Sequence, residues 1–387
     1  MEIAVTDSPH ILFVDDEENI LSALKRELRP WAKERRVAIE TVTSAQGALD
    51  LLKERPEDFH VVVSDLRMPV MKGSDLLVEI RDKWPEIVTM LLSGYSEVEE
   101  IMKAVKAGAF SYLLKPWDTD YLTSELEKAL EHHEVKRENK RYRAMLEEEL
   151  RWAGEMQRAL LKPNPLKAEG VEFRSSWRPV PGLFCGGDYY DVIALSPGRY
   201  LMLVGDVAGH GVRGALVTGM LKAIIYPEYV RNALGKRFSP GAFLSWLNDR
   251  LNFELRKTSG LMVCFFAGVL DREELSFTYA NAGMEHPYLV RNGQPIELPA
   301  SGSALGFAAS VMYPERQIQL EIGDGLFVYS DGLVEHGESS TRISIKETLA
   351  AETYGADYHR RVMDAALARM KQAAFTDDVT IMTARVE

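Results

Sequence analysis

From His10 to about Leu130, short apolar runs alternate with amphipathic stretches. ILFV, VVVS, VTMLLS and FSYLL take turns with NILSALKREL, AQGALDLLKER and EVEEIMKAVKAG. This alternation of strand and helix patterns predicts a doubly wound α/β unit, a parallel sheet with helices on both faces. The strands read as nearly continuous apolar runs, as strands covered on both sides do. In such sheets ligands sit outside the carboxyl ends of the strands. The acidic residues fall there.

From Thr119 to Leu161 the chain has no proline and one glycine, Gly154, and is dense in Glu, Lys, Arg and Leu. Leu122, Leu126, Ala129 and Leu130 form one helical stripe; Leu146, Leu150, Ala153 and Leu160 form another, and the segment between them, HHEVKRENKRYR, is almost wholly polar. The pattern predicts one long helix, or two in series, packed at both ends and exposed in the middle. It serves as a solvated spacer, as a signalling helix, or as a coiled coil that makes a homodimer, the dimer running through Leu122–Leu130. Pro163 and Pro165 are expected to end it.

After Pro165 strand-like runs follow one another: VEFRSSW, RYLMLVGDV, LMVCFFAGVL, LSFTYANAG, PYLVRNG, IQLEIGDGLFVYS and DVTIMTARV. Helical patterns interrupt them at Gly214 to about Leu234, Pro240 to about Arg256, and between about Ile345 and Gln372. Strands in series with helices set apart predict a layered α+β sandwich, of α-β-β-α type, and not a second parallel sheet. The expected division is therefore 8–130 for the α/β domain, 131–162 for a helical linker and 163–387 for the sandwich.

A length of 387 residues suits two domains of ordinary size. No apolar run approaches the roughly 18 residues needed to cross a bilayer, and MEIAVTDSPH lacks the basic and apolar parts of a secretory signal. Cys185 and Cys264 lie far apart and outside any CxxC spacing. A cytoplasmic protein with no zinc site and no membrane partner is expected. The formal net charge of −12 argues against broad nucleic-acid binding, which relies on Lys and Arg to neutralise phosphates.

Asp15 and Asp16 end the first predicted strand, Asp65 the third, Ser93 the fourth, and Lys115 the fifth, before Pro116. Three carboxylates at one sheet edge repel one another unless a hard divalent cation sits between them, and Mg²⁺ suits such oxygen ligands. Asp65 would then attack a phosphoryl donor, with Lys115 offsetting charge on the transferred oxygens and Ser93 hydrogen-bonding the product. The segments FVDDEEN, VVVSDLRMPVMKG, MLLSGYS and YLLKPWD resemble the response-regulator receiver family over about residues 8–130. The resemblance implies Asp65 as phosphoacceptor, Mg²⁺ held by Asp15, Asp16 and Asp65, Ser93 and Lys115 as the switch pair, and a cognate histidine kinase as donor. Tyr112 stands where the family places a rotating aromatic; simple sheet packing is its alternative.

In the sandwich, CGGDYYD, GDVAGHG, YSDGLVE and FTDDVT place Asp188, Asp206, Asp331, Asp377 and Asp378 at strand ends or turns, most beside glycine. Oxygen-only ligands favour Mg²⁺ or Mn²⁺, and two such ions could aim a water-derived hydroxide at phosphorus. His210 is either an acid or structural, Asp191 either supports a ligand or caps a turn, and Glu335 either orients a ligand or caps a helix. Gly323–Gly325 reads as a turn. Together the motifs resemble the metal-dependent protein phosphatase superfamily, in its SpoIIE-type branch, from about Glu148 onward, with EELRWAGEMQRALLKP as the helical lead-in. The resemblance implies two Mn²⁺ or Mg²⁺ ions bridged by Asp206. The carbonyl of Val207 and Asp188 would lie on one side and Asp331 with Asp377 or Asp378 on the other, Asp377 being favoured. It implies hydrolysis of phosphoserine or phosphothreonine on a regulatory protein such as an anti-sigma-factor antagonist. No dedicated phosphate-binding Arg is evident in the first motif; for Arg178, substrate docking and solvation stand level. The alternative is a non-catalytic, phosphorylation-switched adaptor that binds a sigma factor or antagonist. Retention of every acidic position favours the enzyme.

Overall fold

The computed structural model describes residues 8–94, 108–161, 168–209, 211–234, 237–255, 262–336, 341–372 and 374–387. The chain divides into two compact units, Met1–Met145 and Leu146–Glu387.

In the first unit, strands β1 (His10–Val14), β2 (Ala38–Val42), β3 (Phe59–Asp65), β4 (Val88–Ser93) and β5 (Ser111–Leu114) form one parallel sheet in the order β2-β1-β3-β4-β5. Helices α1 (Glu18–Arg35), α2 (Ala45–Glu54) and α3 (Gly73–Lys83) cover it. The period of two sorts β1 between two cores. Ile11 and Phe13 pack with Leu21, Leu24 and Leu28 of α1, while Leu12 and Val14 pack with α2 and α3. Every residue of β3 is buried, as a central parallel strand requires. Each fully buried Leu or Ile here stabilises the fold by roughly 1.5–3 kcal/mol.

Helix α4 runs Thr119–Leu161. Leu122, Leu126 and Ala129 are buried in the core of the first unit with Ile11, Phe13 and Leu92, and Leu130 packs against that core. That stripe is therefore intramolecular and does not supply the expected dimer surface. The second stripe also differs from expectation. Leu146 and Leu160 are exposed, and the buried face instead carries Gly154, Gln157 and Leu161. Gly154 is there for proximity: a Cβ on it would lie 2.2 Å from the Phe184 carbonyl oxygen.

The second unit holds two antiparallel five-stranded sheets. The first has the order β13-β10-β9-β8-β7 and the second β12-β11-β14-β17-β6. They are built from β6 (Val171–Arg178), β7 (Asp188–Ser196), β8 (Arg199–Val207), β9 (Val263–Asp271), β10 (Ser276–Ala282), β11 (Tyr288–Arg291), β12 (Gln294–Glu297), β13 (Arg316–Gln319), β14 (Gly325–Tyr329) and β17 (Val379–Val386), with β15 (Glu335–His336) and β16 (Thr341–Arg342) as a small ladder. Alternation again assigns the layers. In β8, Tyr200, Met202 and Val204 face the other sheet, meeting Leu326, Val328, Met382 and Ala384. Leu201 and Leu203 face the layer of α5 (Val212–Ile224) and α6 (Pro240–Leu255). In the second sheet Phe327, Tyr329, Val379 and Ile381 face α7 (Ile345–Ala351) and α8 (Tyr358–Met370). The result is a four-layer α-β-β-α sandwich. Among the described residues no helix is long and apolar enough to cross a membrane.

Candidate functional sites

In the first unit the carboxyl ends of β1 and β3 bring Asp15, Asp16 and Asp65 together, with carboxylate oxygens within 4.8 Å of one another. That is close enough for one hard cation with oxygen ligands. Lys115, just past β5, reaches across with Nζ 2.7 Å from Asp15 Oδ2 and 2.5 Å from Asp65 Oδ1. The second oxygen of Asp65 accepts from Arg67 N at 3.0 Å, and Asp15 Oδ1 accepts from Glu17 N at 3.0 Å. Burial raises Asp65 above the ordinary carboxylate range; Lys115 opposes this and the charge of Asp15 adds to it. The α3 start is pressed against this edge, since a Cβ on Gly73 would lie 1.9 Å from the Asp65 carbonyl oxygen. Ser93 is fully buried at the end of β4, its hydroxyl donating to Gly94 O. The Tyr112 ring is exposed on β5. Most of the predicted helix EVEEIMKAVKAG lies outside the described residues.

In the second unit the acidic residues gather at one end of the sandwich, where both sheets contribute. Asp188 begins β7 and sits directly opposite Asp206, which nears the end of β8. Asp331 follows β14, and Asp377 and Asp378 precede β17. Ser330 ties the two sheets together here. Its hydroxyl accepts from Thr380 N at 2.8 Å and donates to Asp188 Oδ2 at 2.9 Å. The other oxygen, Asp188 Oδ1, is buried and finds no hydrogen-bond partner among the described residues. A buried carboxylate oxygen left in that state is costly unless a cation meets it.

Burial pushes Asp206 up to about 9, reinforced by the charges of Asp188, Asp331, Asp377 and Asp378. Asp331 is raised to about 6 by burial and by Glu335, Asp377 and Glu285, with Arg342 opposing. Asp188 is also raised, chiefly by burial. Each of these carboxylates is raised first by burial and then by its like-charged neighbours, a cost that hard cations held among them would relieve. Oxygen donors without His or Cys fit Mg²⁺ or Mn²⁺.

Asp377 and Asp378 behave differently. Asp378 Oδ1 accepts from Val180 N at 2.9 Å and Oδ2 from Gly187 N at 2.6 Å, so this carboxylate fastens the loop before β7. Asp377 is half-buried and caps Asp378 N through Oδ1 at 2.7 Å. Two glycines permit the closeness. A Cβ on Gly186 would lie 2.1 Å from Asp378 Oδ2, and one on Gly187 would lie 2.5 Å from the Val207 carbonyl oxygen.

Several neighbours were not legible as such. Gln157 of α4 is buried and donates to Gly186 O at 2.7 Å and Thr218 Oγ1 at 2.8 Å, while its Oε1 accepts from Gly186 N at 3.0 Å. Asp191 is held by Lys222 at 2.5 Å and accepts from Val192 N, so it joins β7 to α5 as a structural ion pair. Asp324 of the GDG turn is buried and receives Arg291 and Glu321 N. Glu335 and Glu285 both pair with Arg342. His210 lies outside the described residues.

Comparison with known families gives two matches. Residues 11–127 match the response regulator receiver domain, and residues 196–387 match Stage II sporulation protein E (SpoIIE). Among curated proteins, the hydrogenase transcriptional regulatory protein HoxA of Cupriavidus necator is 39% identical over 122 residues, covering 31% of this chain and 24% of that protein. The transcriptional regulatory protein ZraR of Escherichia coli is 38% identical over 126 residues, covering 33% and 27%. The chain thus spans about a quarter of the length of these curated relatives. Among solved structures, the SiaA-PP2C domain of Pseudomonas aeruginosa superposes with a TM-score of 0.52 at 23% identity, covering 63% of this chain and 98% of that one. That likeness establishes the fold of the sandwich.

Proposed function

We propose, for a chain that joins a response-regulator receiver domain to a SpoIIE-type phosphatase domain, that phosphorylation of Asp65 controls hydrolysis of a phosphoserine or phosphothreonine ester at the acidic end of the sandwich. The observation that carries the catalytic half is the gathering of Asp188, Asp206, Asp331 and Asp377 at one end of the sandwich, where Asp206 feels the other three charges and Asp188 Oδ1 is buried with no hydrogen-bond partner among the described residues. In this reading Asp206, Asp188, Asp331, Asp377 and the Val207 carbonyl would hold two divalent cations, with Asp206 as the ligand common to both. Both oxygens of Asp378 already accept backbone N–H groups, from Val180 and Gly187, whereas the bond of Asp377 uses only Oδ1, which favours Asp377 as the ligand. When bound, the cations supply charge neutralisation and an acidified water. The chain's own part is to hold the carboxylates at fixed positions: Ser330 orients Asp188, and Gly187 lets the Val207 carbonyl approach. Attack of water on phosphorus breaks the P–O ester bond, releasing inorganic phosphate and the serine or threonine hydroxyl.

In the receiver, Asp65 accepts the phosphoryl group from a histidine kinase while Lys115 lies against the receiving oxygen. Asp15 and Asp16 with Asp65 would hold Mg²⁺ there, and Ser93, Tyr112 and Lys115 would read out the product. We place the coupling in α4, whose first turns contribute Leu122 and Leu126 to the receiver core and whose last turns present Gln157 to the loop that carries Gly186. The substrate class, a phosphorylated regulatory protein of the anti-sigma-factor-antagonist kind, rests on family resemblance.

The coupling is tested with beryllofluoride, which mimics the acyl phosphate. The parent should change its Mn²⁺-supported turnover severalfold on adding it. Asp65→Asn should keep its unstimulated rate and lose the response, because the substitution removes the receiving oxygen and leaves the sandwich untouched. A variant that still responds would place control elsewhere than Asp65.

A further inference from the structure

Beside the acidic end of the sandwich runs a groove of ≈ 600 Å³ between β6 and the start of α8. Its lining carries Arg174, Arg178 and Arg360 against Asp357; Glu172 pairs with Arg174 and Asp357 with Arg360, so the net positive charge comes from the exposed Arg178. This is unusual ground for a chain of net charge −12. Arg174 is fixed: its guanidinium donates to Glu172 Oε1 and to Gly355 O at 2.8 Å, and it lies over the Tyr354 ring. Arg360 pairs with Asp357 at 3.2 Å on the surface. Arg178 is exposed. His359 also lines the groove, bonded through Nδ1 to Ser176 Oγ and through Nε2 to Thr383 Oγ1. Burial pushes it down to about 4, so at neutral pH the positive charge belongs to the arginines.

The end of β6 that lines the groove adjoins the acidic end of the sandwich. Arg178 pairs across the sheet with Val379, the residue after Asp378, and Val180 N donates to Asp378 Oδ1. The sheet order also puts β6 at an edge, where an extended segment can add main-chain hydrogen bonds. A phosphorylated residue seated at the carboxylates would therefore have its flanking residues running past Arg178 toward Arg174 and Arg360. The site itself is acidic and repels anions, so a local positive strip on its approach decides which flanks are tolerated.

We infer that this groove is a substrate-recognition subsite, and that it selects phosphoproteins whose phosphorylated residue is flanked by Asp or Glu in an extended segment. The inference rests on the phosphatase reading above.

The test uses the full-length protein with Mn²⁺ and three phosphoserine peptides that differ only in their flanks: Asp/Glu, Ala or Lys. The acidic peptide should exceed the lysine peptide in kcat/KM by about tenfold or more, the scale of two exposed charge pairs. The difference should lie in KM and shrink at high salt. In the Arg178→Gln/Arg360→Gln double variant the ratio should collapse to about twofold. Anisotropy of the same peptides, fluorescein-labelled, should give the same order of affinity. Two controls separate the readings. Hydrolysis of p-nitrophenyl phosphate reports the metal centre without any flank, so its absence sinks the phosphatase reading, while peptide binding still judges the groove. Turnover with no preference, a preference for lysine flanks, or an acidic preference that survives in the double variant would each overturn the groove.

Discussion

Asp206→Asn should lower Mn²⁺-supported hydrolysis of p-nitrophenyl phosphate by about three orders of magnitude, the scale on which removing one preorganised charge interaction affects transition states. The reason is positional. Asp206 nears the end of β8, directly opposite Asp188 on one side and Cys264 on the other, and its carboxylate feels four other aspartates. Asparagine keeps the volume and removes the charge, so the two cations the site would hold lose the ligand common to both. When no metal is present, the same change removes the cost of holding this buried carboxyl protonated at neutral pH. The metal-free variant should therefore melt no lower than the parent, while the rise in Tm that Mn²⁺ gives the parent should vanish. Near-normal turnover in this variant would overturn the assignment of Asp206.

Gly187→Ala should damage both stability and turnover, through the backbone and not through charge. The added Cβ would lie 2.5 Å from the Val207 carbonyl oxygen and 2.9 Å from that of Gly209, both main-chain atoms. Neither can rotate away, as a flexible side chain could. To make room, the hydrogen bond from Val207 N to Gly187 O or that from Gly187 N to Asp378 Oδ2 must lengthen. We expect a cost of about 3 kcal/mol, as for other overpacked positions, a fall in the Tm of the second unit by about 5–10 °C, and a much weaker response to Mn²⁺. Gly325→Ala is the matched control. Its nearest neighbours would be the Val290 Cβ and carbonyl oxygen at 3.9 Å, ordinary contact, so its Tm should move by a degree or two. Equal behaviour of the two variants would remove the steric argument.

These effects show what a sequence discloses readily. Periodicity assigned the layers: alternation along β8 separates Tyr200, Met202 and Val204 from Leu201 and Leu203, and the same rule works in β1. Acidic residues at strand ends marked both centres; in the sandwich Asp188, Asp206 and Asp331 also stand beside glycine, which allows the close backbone approach such a site needs. Helix α4 was harder to read. Its leucines suggested the buried face, yet Leu146 and Leu160 are exposed and Gln157 is inside. A buried glutamine is legible only once its partners, Gly186 and Thr218, are known. The Leu122 stripe looked available for a dimer, and only the three-dimensional core shows it already used. The two neighbouring aspartates present the same limit. Nothing in FTDDVT says that Asp378 will serve the N–H groups of Val180 and Gly187, nearly 200 positions earlier.

The most direct measurement is hydrolysis of a phosphoserine peptide by the full-length protein, first with Mn²⁺, then after EDTA, then with Mn²⁺ restored. Turnover should be abolished by EDTA and restored by Mn²⁺. Folded protein that neither hydrolyses the peptide nor binds Mn²⁺ would contradict the phosphatase reading and point instead to a phosphorylation-switched adaptor.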